Sequence, residues 1–487
     1  MQLRAILFIV GALLVCVGAT MIIPMAVSIG YGDDALPGIA ASLGIVAGGG
    51  LVLAWFNRPL APLRLNPREG LAVVGICWIV ASFAGGLPYV LTGWMTVTDA
   101  VFEAASGFTT TGATVLGDIE ALPRGLLIWR SLTHWLGGMG IIVLSLIVLP
   151  LLGVGGMQLY RAEAPGPRPD KITPRLQDTA IALWKIYCLM TLVLIVLLHL
   201  AGMDWFDAVN HSFSTVATGG FSTRNASIAA FPSPVIQWIL VLFMFFAGVN
   251  FVLHYRFLSG DFGIYRRSTE FLAYAGLLAA GGAVIVSVLI LGGVFPLHCL
   301  ADMEQIVRAA MFQLVSICTT TGFVSENYIG WPALSLGVLL LFTFMGASTG
   351  STAGGVKILR MVVLVRLIYE EIFRLLHPRS VRGLKIDGQP VLPEMLSGIV
   401  GFFLLYLLVL ILGTLLVTAQ GTDLMTAFTA SLTCISNVGP GLGKVGPVDN
   451  FGWMPDFSKW VLSLVMLLGR LEFYAIVVLV VPEFWRR

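Results

Sequence analysis

The chain alternates long apolar runs with short polar connections. Runs long enough to cross a bilayer, about 20 residues each, occur near 3–28, 38–56, 70–95, 125–153, 180–203, 234–258, 270–295, 332–369, 393–419 and 458–484. Four shorter, mildly apolar segments lie near 99–109, 207–217, 309–319 and 426–436. At about eleven residues they are too short to span, and each leads into Gly/Thr-rich sequence, as a re-entrant half-helix does. The pattern predicts an all-α polytopic membrane protein with ten transmembrane spans and four re-entrant loops.

Composition agrees with that picture. Of 487 residues 57 % are hydrophobic and only 11 % charged, and the mean hydropathy is +0.93, whereas a soluble domain carries roughly 25 % charged residues. The net charge of +2 is uninformative, because in membrane proteins the position of charges matters more than their sum. No basic face suited to nucleic acid stands out. The six cysteines, Cys16, Cys77, Cys188, Cys299, Cys318 and Cys434, are scattered without a CxxC pair and read as small hydrophobes rather than a disulfide framework or metal cage. The six histidines show no metal-ligand spacing. Residues 1–20 resemble a signal peptide, and Leu13–Cys16 faintly a lipoprotein site, but the apolar run continues to Val27, long enough to span.

Basic residues set the orientation. The connections after spans two, four, six and eight carry Arg58, Arg64 and Arg68; Arg161, Arg168, Lys171 and Arg175; Arg256, Arg266 and Arg267; and Arg374, Arg379, Arg382 and Lys385. The alternate connections carry only Arg124, Arg224, Arg308, Lys444 and Lys459. By the positive-inside rule both termini are cytoplasmic and the four short segments dip in from the opposite side.

Those segments are copies of one another. Asp99–Gly112 (DAVFEAASGFTTTG), Asp207–Gly220 (DAVNHSFSTVATGG), Ala309–Gly322 (AAMFQLVSICTTTG) and Thr426–Gly439 (TAFTASLTCISNVG) align without gaps. Position two is Ala each time (Ala100, Ala208, Ala310, Ala427), position eight a hydroxyl (Ser106, Ser214, Ser316, Thr433), and the last position Gly. A repeat of this kind is one structural unit used several times. It divides the chain into an N-terminal two-span hairpin, 1–64, and four span–loop–span repeats, 65–165, 166–262, 263–385 and 386–487, in fourfold pseudo-symmetry.

The chemistry such loops offer is replacement of a cation's hydration shell. A bare cation in hydrocarbon is prohibitively costly unless oxygen dipoles surround it. Backbone carbonyls do this where the chain is extended beside the pathway, and Gly permits the backbone angles and close approach required. A half-helix whose C-terminal, partly negative end points inward favours a cation. The plainer alternative is that the glycines merely end short helices, although four such ends lie in register.

Thr109–Thr114 (TTTGAT), Ala217–Ser222 (ATGGFS), Thr319–Phe323 (TTTGF) and Asn437–Gly441 (NVGPG) resemble the four selectivity-filter loops of the Trk/Ktr/HKT superfamily of potassium transporters. The resemblance covers essentially the whole chain, and the extra N-terminal hairpin resembles the Trk-type membrane subunit. It implies a potassium filter at Thr110, Thr111, Gly112, Thr218, Gly219, Gly220, Thr320, Thr321, Gly322, Asn437, Val438 and Gly439. The ion would be held at Thr111, Gly112, Gly219, Gly220, Thr321, Gly322, Val438 and Gly439. It also implies a homodimer in the bacterial inner membrane and a cytosolic nucleotide-binding, TrkA-like gating subunit. Potassium is then the transported ion, no cofactor is tightly bound, and nucleotide acts only through the partner. Some plant relatives carry Ser in the first loop and favour sodium; Gly at all four positions favours potassium.

Two further features fit. Arg470 sits inside the last span, where an ionisable residue faces the bundle interior or a wet cavity; it reads as a barrier to cations below the filter, or as a structural partner of Glu472 or of backbone carbonyls. Its Gly-Arg-Leu-Glu context resembles the superfamily's final-span motif. The eighth span is interrupted by Gly346–Lys357 (GASTGSTAGGVK), and irregular backbone at that depth should line a cavity. With Gly346, Ser348, Gly350, Gly354 and Gly355 it resembles the intramembrane gating loop, the alternative being a small-residue packing face. Glu103 and Arg130 read as a brace for the first loop, His134 as a packed residue beside it, and 161–178 as a cytoplasmic linker. No HExxH, GxGD or nucleophile–base constellation supports a membrane enzyme, and a scaffold would not need four equivalent glycines. A sodium-permeable or sodium-coupled relative remains the alternative transport reading.

Overall fold

The computed structural model describes residues 3–58, 67–147, 172–296, 298–378 and 383–485. Most of the expected linker, 161–171, therefore lies outside the described residues. The architecture is almost wholly helical; the sheet among the described residues is a two-residue antiparallel pairing, Lys385–Ile386 with Gln389–Pro390. Among the described residues six helical stretches are long and apolar enough to cross a membrane: Leu3–Tyr31, Leu36–Phe56, Arg68–Leu91, Asp178–Leu200, Thr269–Leu291 and Met395–Thr418. A seventh forms if Pro234–Ala247 and Phe251–Leu258, which meet at 97°, count as one broken span. Their outer faces carry exposed Trp55, Phe56, Leu291 and Leu404, as expected where hydrocarbon is the solvent.

Inside, the polarity is inverted. The fully buried residues include Thr109, Thr110, Thr111, Thr218, Thr319, Thr320, Thr321, Ser436 and Asn437, gathered at the bundle centre where the repeats meet. Small residues let the N-terminal helices approach closely. A methyl added at Gly18 would lie 2.8 Å from Ala47, and one at Gly50 2.8 Å from Leu14.

The four repeated segments form the short helices Val97–Phe108, Trp205–Val216, Leu300–Cys318 and Leu424–Ser436. Three begin at side-chain caps: Thr96, Asp204 and Asp423 accept from backbone N–H groups of the first turn. The third is longer than the eleven residues expected. Asp302 accepts from the N–H groups of His298 and Cys299, which starts the helix at Leu300.

The expected Glu103–Arg130 brace is present at 2.8 Å with both side chains buried. Glu103 also accepts from the Val115 N–H at 3.0 Å, and Arg130 donates to the Ser222 carbonyl at 3.1 Å and lies over the Phe221 ring. The pair thus ties the first helix to the strands leaving both the first and second loops. Removing one partner of a buried pair strands a charge and costs roughly 3–5 kcal/mol, whereas an exposed pair contributes under about 1 kcal/mol. Arg130→Gln should therefore lower the melting temperature of the purified protein in detergent markedly. Arg374→Gln, which breaks an exposed pair with Glu371, should barely move it.

Candidate ion pathway

All four short helices end in the same way. Thr110, Thr218, Thr320 and Asn437 take left-handed backbone angles, with φ of 52°, 54°, 57° and 57°. The next N–H groups, of Thr111, Gly219, Thr321 and Val438, reach back to the carbonyls of Ser106, Ser214, Ser316 and Thr433 at 2.8–2.9 Å. This is a Schellman-type cap, and its left-handed residue is Thr or Asn rather than Gly. The plainer reading of the glycines as helix terminators is therefore incorrect: they lie two residues beyond the cap.

The glycines serve the next task. Gly112, Gly220, Gly322 and Gly439 have φ of 78°, 85°, 76° and 93°, which side-chain-bearing residues rarely adopt. A methyl on Gly112 would strike the carbonyl of Gly219, one on Gly220 that of Thr321, one on Gly322 that of Val438, and one on Gly439 would lie 2.7 Å from that of Thr111. Each loop abuts the next in cyclic order and the fourth returns to the first. The four carbonyls sit at equivalent positions, each on the residue before a ring glycine, so the four loops close a ring of contacts.

The twelve expected filter residues, Thr110–Gly112, Thr218–Gly220, Thr320–Gly322 and Asn437–Gly439, are thus brought together. Asn437 seals the last joint: its Nδ2 donates to Thr111 Oγ1 at 2.9 Å and to the Met466 carbonyl at 3.0 Å. Behind the second loop, His134 stacks on Phe221 with ring centres 4.0 Å apart and packs against Gly219, which has no room for a side chain. On one side the ring opens into a cavity of about 120 Å³ lined by Thr114, Ser222, Arg224, Asn225, Asp449 and Asn450.

On the other side lies the interrupted eighth span. Helices Ala333–Met345 and Ile358–Leu376 are separated by residues 346–357, whose ends pair: Lys357 N–H donates to Met345 and Ile358 N–H to Ala347. Gly346, Gly350 and Gly355 have φ of 68°, 70° and 74°. The tip reaches under the ring. Gly354 N–H donates to Thr320 Oγ1 at 2.8 Å, Thr352 Oγ1 donates to the Val216 carbonyl at 3.1 Å, and Gly354 itself packs against Ser436 and Asn437. The segment touches the ends of three of the four short helices, and it is a non-helical loop rather than a stretch of helix. Ser348, 1 % exposed, donates its N–H to the Gly248 carbonyl at 3.0 Å.

Arg470 is buried, with Nη1 2.7 Å from the Thr352 carbonyl and Nη2 3.4 Å from that of Gly137. Glu472 instead pairs with Arg360 at 2.5 Å. Of the two structural partners considered for Arg470, backbone carbonyls are found and Glu472 is not; one of those carbonyls belongs to the loop tip. Sequence reasoning missed three contributors. Glu270 accepts the Thr349 N–H at 2.6 Å and its hydroxyl at 2.8 Å. The sixth span is broken at Gly248–Asn250 and the tenth at Leu471–Phe473. An asparagine within an apolar run (FMFFAGVNFVLHY) was the available signal for the first break.

A closed ring of backbone carbonyls at the meeting point of four helix C-termini, inside a bundle of membrane-length apolar helices, defines a membrane cation-transport protein. The chain belongs to the TrkH family of cation transport proteins, whose family model matches residues 52–487. It is similar to the Trk system potassium uptake protein TrkH of Escherichia coli K12, 42 % identical with 100 % of both chains covered. Trk system potassium uptake protein TrkG of the same strain is 35 % identical over 100 % of this chain and 99 % of its own. The crystal structure of the potassium transporter TrkH from Vibrio parahaemolyticus superposes with a TM-score of 0.91 at 38 % identity, covering 100 % of both chains.

A hydroxymethyl group at any ring glycine must displace a neighbouring carbonyl. Gly112→Ser, and Ser at Gly220, Gly322 or Gly439, should each lower the potassium-to-sodium permeability ratio about tenfold, corresponding to 1.4 kcal/mol of differential binding. An unchanged ratio in all four variants, measured by reversal potentials, would refute the filter assignment.

Proposed function

We propose that this protein takes up potassium across a bacterial inner membrane through a single-chain pore. The carbonyl ring built on Gly112, Gly220, Gly322 and Gly439 selects the ion, and the loop at residues 346–357 gates it. The observation that carries this reading is the cyclic contact of the four loops, because a ring of dipoles without side chains suits a dehydrated monovalent cation. Potassium rather than another cation is favoured by the names of the relatives, all of them potassium uptake proteins. The chain is read as a transporter and not an enzyme, with ten spans, four re-entrant loops and both termini cytoplasmic. The hairpin 1–64 precedes repeats at 65–165, 166–262, 263–385 and 386–487. It works as a homodimer with a cytosolic nucleotide-binding, TrkA-like subunit, and binds no cofactor tightly.

Voltage alone suffices to drive such uptake. A potential of about −150 mV gives a monovalent cation about 3.5 kcal/mol, which sustains roughly a 300-fold inward gradient. In proteoliposomes an imposed inside-negative potential should drive rubidium influx that potassium competes for and sodium does not. Sodium influx at an equal rate would favour the sodium-permeable or sodium-coupled alternative.

Arg470 acts as a positive barrier next to the loop tip, since like charges in a low-dielectric pathway repel strongly. Arg470→Ala should raise basal rubidium flux about tenfold, equivalent to removing 1.4 kcal/mol of barrier. Deleting Ser348–Ala353 should raise it without the regulatory subunit. Flux at or below wild type in either well-folded variant, checked by size-exclusion profile, would reassign that element to a structural role.

A further inference from the structure

The break in the sixth span joins the gate to a surface at the membrane face. Pro234–Ala247 is fourteen residues long and rises about 21 Å, short of a bilayer of about 30 Å. Phe251–Leu258 then turns away by 97°, so it does not continue the first helix through the bilayer. A turn follows, with Gly260 at φ 102°, and then Ile264–Arg267.

This elbow has the composition of an interfacial anchor. Leu258 and Phe262 are 62 % and 73 % exposed, beside Arg256, Arg266 and Arg267. Asp261 pairs with both Arg256 and Arg267, and Arg266 adds a further positive charge beside them. Exposed apolar groups beside arginines, as along this helix, turn and following helix, are suited to the headgroup region of an anionic leaflet. By the positive-inside rule, this elbow is on the cytoplasmic side.

Its inner end holds the loop. The Phe251 N–H donates to the Gly350 carbonyl at 3.1 Å, and the Ser348 N–H to that of Gly248 at 3.0 Å. Thr352 Oγ1 also donates to the Ala247 carbonyl at 3.3 Å, and Asn250 caps the bent helix by accepting the Val252 N–H. Two chain breaks at membrane depth thus satisfy one another's orphaned backbone groups. His254 stiffens the link, bonding the Phe246 carbonyl through Nε2 and the Tyr265 hydroxyl through Nδ1, at 2.9 and 2.8 Å.

We propose that the elbow from Tyr255 to Arg267 docks anionic phospholipid headgroups, and that this docking keeps the loop at residues 346–357 seated beneath the filter. The second half rests on the reading of that loop as the gate. The test reconstitutes the full chain in phosphatidylcholine vesicles with and without phosphatidylglycerol. Two readouts are taken: basal rubidium flux, and phosphatidylglycerol retained on the purified protein by native mass spectrometry.

In wild type, phosphatidylglycerol should be retained and should lower basal flux. The variant carrying Arg266→Gln and Arg267→Gln should lose retention and most of the flux effect, about fivefold for each arginine. Arg266→Lys with Arg267→Lys, which keeps the charge, should behave as wild type and so excludes simple misfolding. Equal retention in wild type and the Gln variant, or flux indifferent to phosphatidylglycerol in wild type, overturns the proposal. The Ser348–Ala353 deletion separates the two claims. It should keep retention and lose the lipid effect on an already raised flux; retention with basal flux unchanged by the deletion would instead sink the gate reading and leave the lipid surface standing.

Discussion

A backbone N–H or C=O at membrane depth must find its partner within the protein, because hydrocarbon offers none. Much of this structure follows from that constraint at the places where helices stop. The four short helices end in the bundle interior, and each closes its last carbonyls with the same left-handed cap at Thr110, Thr218, Thr320 or Asn437. Those caps turn the chain so that each following carbonyl meets the glycine of a neighbouring loop. The four loops then meet in a ring, each glycine against a carbonyl of a neighbouring loop, with no room for a side chain between them.

The same constraint explains why the interrupted spans cluster. The breaks at Gly248–Asn250, Gly346–Lys357 and Leu471–Phe473 lie about 100 or more residues apart in the chain, yet their free groups bond one another. Gly248 and Phe251 bond Ser348 and Gly350, while Arg470 bonds Thr352. Glu270 takes up Thr349, and Glu472 takes up Arg360. A loop held by this many neighbours is ordered without being a helix.

Buried charge is organised by the same logic. Glu103 and Arg130 are placed where they anchor backbone groups of two adjacent loops, rather than as an isolated pair. A buried ion pair contributes little net stability when its desolvation cost is counted; its value here is positional, since it fixes where the strands leaving the ring run.

Helix existence, the fourfold repeat and the ring glycines were legible in the chain itself. Apolar run length and the register of Ala100, Ser106 and Gly112 with their counterparts depend on local periodicity, which one sequence carries in full. The loop at 346–357 was legible for the same reason, because twelve small and polar residues cannot continue a lipid-facing helix. Other features depended on long-range contacts that no local pattern encodes. Three of the left-handed caps fall on Thr, a residue with no local preference for that role, and only the fourth on Asn, which has one. Arg470 chose Thr352, 118 residues away, over Glu472 two positions on, because the turn at Glu472 and Phe473, with φ of 54° and 65°, points the two side chains apart. The break at Gly248–Asn250 survives only because the third repeat supplies its partners. Sequence alone thus determined that the chain is helical and apolar enough to cross a membrane, and which loop positions must lack a side chain. Which neighbour each loop meets, and in what cyclic order, was decided by tertiary packing, because closing a ring requires four distant segments to be satisfied at once.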